Sequence, residues 1–292
     1  MPVQLVLDGQ PKDLGGGFVV RRVLPSAQRQ AIGPFLFFDH FGPVTEQPGD
    51  NHDVRPHPHI GLATVTYLLE GAITHRDSLG SVQDIQPGAI NWMTAGRGIV
   101  HSERRPVRLK DRSYVNHGFQ LWCGLPEASE EEEASFVHTP ASDIPRVRVQ
   151  GAQVRVLAGA AFGATSPVKT LSQTIYLDIA LSANGKLALP ALAQELAVYP
   201  IDADLTIDGQ AVAARSLAVL QAGQPAQLSC DTSVRLLVLG GAPLGHRFIW
   251  WNFVSSRKER IAQAARDWQQ QQLGRVPGEN ESIPLPPLKP PG

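Results

Sequence analysis

Cysteine is scarce in this chain. Cys123 and Cys230 are the only two in 292 residues, far apart and each in an apolar, strand-like context. A disulfide framework is therefore not indicated, and a cytoplasmic protein is expected. Neither sign of charge dominates: 26 Lys and Arg stand against 27 Asp and Glu, a formal net charge of -1. Without a basic excess, direct reading of nucleic acid is not expected. No apolar run approaches the roughly 20 residues that a membrane-spanning helix needs. The start, Met1-Pro2-Val3-Gln4-Leu5, lacks a basic stretch followed by an apolar core, so no secretory leader is expected. Gly-x-Ser-x-Gly, a phosphate-loop lysine and a Gly-x-Gly-x-x-Gly turn after a strand are also missing, which removes the common hydrolase and nucleotide-binding chemistries.

What the chain does have is turns. Its 27 glycines and 24 prolines are spread along its length. Between them lie short β-branched and aromatic segments: residues 18–24 up to Pro25, 35–38, 63–69 before Glu70-Gly71, 73–78, 90–93 after Gln86-Pro87-Gly88, and 117–125. Short strands at this spacing predict a sandwich or barrel. Residues 126–145 change character, with prolines and four glutamates at 130–133 that read as a solvated face of a connection. From Arg146 the rhythm resumes, and Asp208-Gly209 and Ala222-Gly223 echo the earlier turns. The expectation is an all-β, duplicated barrel, with a first domain over 1–135, a linker over 136–145 and a second domain over 146–292. Tandem barrels bury within one chain what single ones bury by pairing, so a monomer is expected. Ser256 and Glu259 predict a capping box opening a helix, with Ile261, Ala264, Ala265 and Trp268 as its apolar face and Gly274 as its stop. The tail from Pro284 to Gly292 is Pro-rich and reads as extended or disordered.

Two short motifs carry chemistry. His57-Pro58-His59 is answered by His101-Ser102-Glu103. On a strand, residues two apart point to one face. Two such strands side by side aim three imidazoles and one carboxylate at one point. Pro58 places the first pair at a strand start or sheet edge, and Gly96 and Gly98 permit the sharp turn that delivers the second. A lone His-x-His is most often a surface accident; the second pair argues against that here. Imidazole with carboxylate suits Fe, Mn, Ni, Cu or Zn, and four protein ligands leave positions open for other molecules.

These residues, with the stretch from Thr64 to Gly71, Asp77-Ser78, Pro87-Gly88, the run from Trp92 to Glu103 and the run from His117 to Trp122, resemble the pirin family of two-domain cupins. The specific part covers roughly residues 35–125; the remainder matches in length and layout. The resemblance implies two tandem cupin (double-stranded β-helix, jelly-roll) barrels with a C-terminal helix. It implies that His57, His59, His101 and Glu103 bind one metal ion, most often Fe(II), in the first barrel, and that the second is metal-free; His246 is the only histidine after residue 146. Many pirins carry a glutamate four residues past the second histidine and an arginine just after it; here these are Ala63 and Ile60. Glu103 is therefore expected to be the carboxylate ligand, with Ile60 and Ala63 giving the pocket an apolar rim. Phe119, Gln120 and Trp122 are further pocket candidates, with core packing an equal reading for Gln120 and Trp122, which share one strand face. His75 and Asp77 share a face beside the site but read first as a surface pair, His117 as a turn residue or a partner behind a ligand, His40 and His52 as non-ligands, Arg97 as a turn residue holding carbonyls or a group that positions an anion, and Trp250 and Trp251 as cover for a barrel seam.

The resemblance implies one of two functions. Some pirins resemble quercetinase, which opens a flavonol with O₂ and releases carbon monoxide; Glu103 would then be the catalytic base and a flavonol the substrate. Others resemble metal-dependent regulators that act through a protein partner, as a transcription co-regulator or a modulator of a metabolic enzyme.

Overall fold

The computed structural model describes residues 2–14 and 17–287. It is built almost wholly of short strands, with one α-helix, Lys258–Gln269, among the described residues. That helix is too short and too polar to cross a membrane.

The chain divides into two compact units. The first comprises Met1–Pro11, Arg21–Asp39 and Ser142–Pro243. One of its sheets runs in the order Val3–Asp8, Ser216–Leu220, Glu195–Pro200, Val234–Gly241, Thr174–Leu181, Ala152–Ala158, Arg146–Val149. The other is Lys186–Leu189, Ala226–Ser229, Leu205–Ile207, Gln210–Val212. Alternating aliphatic residues meet between them, among them Val154, Leu177, Leu187, Val198, Leu228 and Leu236. The turn predicted at Asp208-Gly209 is a two-residue hairpin between Ile207 and Gln210. Both its residues have positive φ, 46° and 81°, the conformation such hairpins need.

The second unit comprises Lys12–Val20, His40–Ala141 and Leu244–Gly292. Its smaller sheet is Val54–His59, Ile99–Arg104, Ile73–Asp77, Val82–Ile85. Its larger sheet runs Ser135–Thr139, Ile90–Thr94, Leu62–Glu70, Tyr114–Gly124 and on to Phe35–Glu46. Leu62–Glu70 is almost wholly buried on both faces, which its β-branched and aromatic sequence suits.

The all-β tandem arrangement agrees with expectation, but the units are not the contiguous halves 1–135 and 146–292. The strand Val3–Asp8 pairs antiparallel with Ser216–Leu220, so the N-terminus completes the later barrel. The C-terminal helix packs Ile261, Ala264 and Ala265 against Ile60 and Phe253, so the C-terminus completes the earlier one. The expected linker also begins later. Ser135–Thr139 is a strand paired with Ile90–Thr94, and the boundary falls after Ala141.

Three local expectations are corrected, the first two by long-range contacts. Glu130 is not a solvated glutamate but is buried, 2.8 Å from the Arg247 guanidinium, itself buried. The Glu130 carboxylate also accepts hydrogen bonds from the Ser255 hydroxyl and from the Ser256 N–H and hydroxyl. Ser256 is thereby taken from the expected capping box; the N-cap is Arg257, with no side-chain cap. Nor does Gly274 stop the helix, which ends at Gln269 in a turn that closes on the Arg266 and Trp268 carbonyls. Of the expected extended tail, residues 284–287 are neither helix nor strand, and 288–292 lie outside the described residues.

Removing one partner of a buried ion pair strands the other charge. Glu130→Ala should lower unfolding free energy by about 3–5 kcal/mol in urea denaturation. Glu133→Ala, which removes an exposed partner of Arg97, should cost no more than about 1 kcal/mol.

Candidate metal centre

The two motif strands are neighbours, and their register brings the histidines together. Val54–His59 is the edge strand of its sheet, as Pro58 requires, and pairs antiparallel with Ile99–Arg104. His57 stands directly opposite His101. The ring centroids are 4.3 Å apart for His57 and His101, and 5.0 Å for each of these with His59. Each ring offers a nitrogen within 4.8 Å of the other two, and all three residues are buried. The turns that feed the strands are held together by a hydrogen bond from the Gly61 N–H to the Gly96 carbonyl, 2.9 Å. Both glycines have positive φ, and a Cβ on either would meet a carbonyl oxygen at 2.0 Å. Only glycine fits there.

The environment keeps these imidazoles neutral. Burial lowers the His57 pKa from 6.5 to about 4. It drives those of His59 and His101 well below 6.5, with the neighbouring imidazoles adding to the effect. Two of the rings are oriented from behind. His57 Nδ1 lies 2.8 Å from the Arg55 carbonyl and His59 Nδ1 lies 3.2 Å from the Asn252 carbonyl. A neutral imidazole must donate to a carbonyl, so each Nδ1 carries the hydrogen and each Nε2 keeps its lone pair. His101 has no hydrogen-bond partner at either buried ring nitrogen. Leaving a buried polar atom unpaired is costly. A cation shared by the three rings would relieve that cost, so the donor set fits a divalent transition metal of the kind imidazole prefers.

Glu103 enters differently. It lies two residues beyond His101, on the same face, but a register shift separates them: His101 opposes His57, while Glu103 opposes Val54. It is not part of the group of donor atoms lying within 4.8 Å of one another. It is half-buried, and burial raises its carboxyl from 4.5 to about 7.

Family-model matches cover residues 17–123 as Pirin and 176–274 as the Pirin C-terminal cupin domain. A pirin-like protein of Caulobacter vibrioides is 44% identical over 97% of this chain and 99% of that one. The chain belongs to the pirin family. Among solved structures, a quercetin 2,3-dioxygenase from Acinetobacter baumannii superposes with a TM-score of 0.90 at 33% identity, covering 97% of this chain and 95% of that one. A second Acinetobacter baumannii structure of the same description gives 0.87 at 27% identity, covering 94% and 99%. Both units of this pirin-family chain are thus cupin domains.

The pocket candidates divide by strand face. Trp122 is buried with its ring edge-on to His59, centroids 5.2 Å apart, so it faces the histidines. Gln120, two residues earlier, shares that face, and its amide oxygen accepts from the Thr66 hydroxyl at 2.8 Å. Phe119 is one residue out of phase and stacks on His40 instead, centroids 4.5 Å apart. Ala63 pairs with Cys123 and so lies on the face opposite Trp122. A carboxylate at position 63 would point away from the histidines. Ile60 is packed in the apolar cluster under the C-terminal helix. The expected rim of Ile60 and Ala63 is therefore not formed, and Phe119 does not line the histidine site.

Other readings change as well. His75 and Asp77 are no surface pair: both are buried, joined at 3.0 Å, with His75 stacked on Phe136 and 5.3 Å from the His101 ring. The Asp77 carboxylate also accepts the Leu79 and Ser81 N–H groups. His40 is buried mid-strand, its Nε2 2.8 Å from that of His117, away from the cluster. Arg97 is exposed and pairs with Glu133, in keeping with a turn residue. The Asn252 carbonyl behind His59 had no sequence signal, because it acts through its backbone from far along the chain.

These shifts imply a pH dependence. His57 stays neutral down to about pH 4 and His59 and His101 are depressed in the same direction, so a Glu103 carboxyl that joined the ion would be the group whose proton competes with metal as pH falls below about 7. Metal affinity should fall on acidification through that range with a slope near one proton, and Glu103→Gln should flatten it. In the metal-free protein the signs oppose. The raised Glu103 favours the fold below 4.5, a contribution lost as pH rises towards 7; the depressed histidines favour it above 6.5, a contribution lost as pH falls towards 4. Isothermal titration with a divalent metal across this range, and urea midpoints of the metal-free protein, check both.

Proposed function

We propose that this chain is a non-haem metal dioxygenase that opens flavonols such as quercetin with O₂. The observation that carries the reading is the cluster of three buried, neutral imidazoles, one wholly unpaired, with the Glu103 carboxyl two residues along the strand from His101. The similarity to the Acinetobacter baumannii quercetin 2,3-dioxygenase structures supports the same class. His57, His59 and His101 would hold the metal, with Glu103 as the fourth ligand. A metal held there, Fe(II) in the first instance, would supply Lewis acidity towards a flavonol 3-hydroxyl and redox chemistry towards O₂.

This chain's own residues do the rest. Glu103, detached from the ion or hydrogen-bonded to the substrate, would accept the 3-hydroxyl proton. Trp122 offers a flat apolar wall beside His59, and Gln120 a polar group on the same face. Burial of the histidines keeps bulk water from competing for them. The alternative, a metal-dependent interaction protein, uses the same ligands without turnover.

Elemental analysis of freshly purified protein should find about one transition metal per chain, and the loaded protein should consume O₂ with a flavonol. His101→Ala should lower the metal content and abolish the O₂ consumption. Loaded protein that binds quercetin without oxygen, yet consumes none in air, would contradict the enzymatic reading and favour the interaction reading.

A further inference from the structure

After His101 the register shifts against Val54–His59, while Glu103 keeps its place opposite His75 on Ile73–Asp77, so the ladder holds the Glu103 segment regularly on one side only. The two chain neighbours of Glu103 point to the opposite face, and there both are held by one carboxylate. The Ser102 hydroxyl donates to Glu279 Oε1 at 2.6 Å. Arg104 donates to Glu279 Oε2 from Nε at 3.1 Å, and its terminal nitrogen bonds the same oxygen. Ser102 is fully buried, and the Glu279 side chain is only 9% exposed. Burial alone would make the Glu279 carboxylate harder to ionise; the Arg104 and Ser102 hydrogen bonds outweigh it and hold its pKa below the ordinary value.

Glu279 is itself held in place. Its N–H donates to the carbonyl of Val276, a buried residue. Four residues on, the Ile283 N–H donates to the Pro56 carbonyl at 2.8 Å, beside His57 on the other motif strand. The Trp268 indole N–H donates to the Ile283 carbonyl at 3.1 Å, tying this segment to the helix. The segment after the helix thus grips the backs of both strands that carry the site, at Ser102 and Arg104 on one and at Pro56 on the other.

We propose that Glu279 is a positioning residue for the metal centre: by holding Ser102 and Arg104 together it directs Glu103 towards the three histidines. The inference rests on the reading of Glu103 as the fourth ligand. Glu279 never touches the ion; it acts through the backbone of the residues either side of the ligand. Partners of this kind behind metal ligands typically change affinity by about 10–100-fold. Glu281 is a built-in control, because it pairs with the same Arg104 at 2.7 Å but does not reach Ser102 and is exposed.

The test is Co(II) titration of the full chain, stripped of metal, followed by calorimetry and by the visible absorption of the bound ion. Glu279→Ala should weaken binding about 10–100-fold and give the absorption spectrum of Glu103→Gln. Glu281→Ala should leave affinity and spectrum unchanged. In a Glu103→Gln background, Glu279→Ala should have no further effect. Unchanged Co(II) affinity in Glu279→Ala, or an equal loss with and without Glu103, would overturn the proposal. Should Glu279→Ala fail to fold, Ser102→Ala replaces it, with a smaller loss and the same spectral change expected; an unchanged spectrum there is equally fatal. A wild-type chain that binds no Co(II) overturns the metal reading itself. Wild-type binding that is indifferent to Glu279 overturns only the positioning role.

Discussion

The antiparallel pairing of Val54–His59 with Ile99–Arg104 is the constraint on which the site depends. It sets His57 opposite His101, and the period of two along the first strand adds His59 on the same face. Nothing about an imidazole compels it to be buried and neutral. The ladder imposes both, by fixing the rings inside a barrel where charging any of them would cost desolvation and mutual repulsion. The cost of that arrangement appears as a buried His101 with neither nitrogen paired. A divalent cation shared by the three rings would satisfy those nitrogens.

The surrounding structure serves this pairing from two directions. Gly61 and Gly96 bring the turns close enough for their backbones to bond. The C-terminal segment braces the strands from behind: Asn252 on His59, Ile283 on Pro56, and Glu279 on the neighbours of Glu103. Buried anchoring of that segment through Glu130 and Arg247 is therefore part of the same economy, since it seats the Phe253–Ser255 strand whose Val254 bonds Ile60, next to His59.

The parts of the site that follow from local periodicity were legible in the sequence. His-x-His and His-x-Glu fix a common face on any strand, and the glycines at 96 and 98 mark the turn between them. Gln120 and Trp122 were legible for the same reason, while Phe119 could have been rejected by counting in twos from Trp122. The apolar rim at Ile60 and Ala63 was misread because its exposure depended on where the C-terminal helix docks and on which face of its strand position 63 occupies. Long-range partners left no local trace. Glu130 is indistinguishable from Glu131 to Glu133 until Arg247 is placed beside it, and Ser256 has a complete capping-box signature that a stronger, buried partner overrides. The exchange of terminal segments between the two units is of the same kind: strand pairing for the N-terminus and apolar packing for the C-terminus, both set by distant residues.

The most direct test of the central claim is X-ray absorption at the metal edge of the freshly purified protein, because it reports the donor atoms themselves. Three imidazole ligands with an additional oxygen shell, falling to two imidazoles or to no bound metal in His101→Ala, is the result this account predicts. A metal bound without imidazole scattering, or one whose shell is unchanged when His101 is removed, would contradict it.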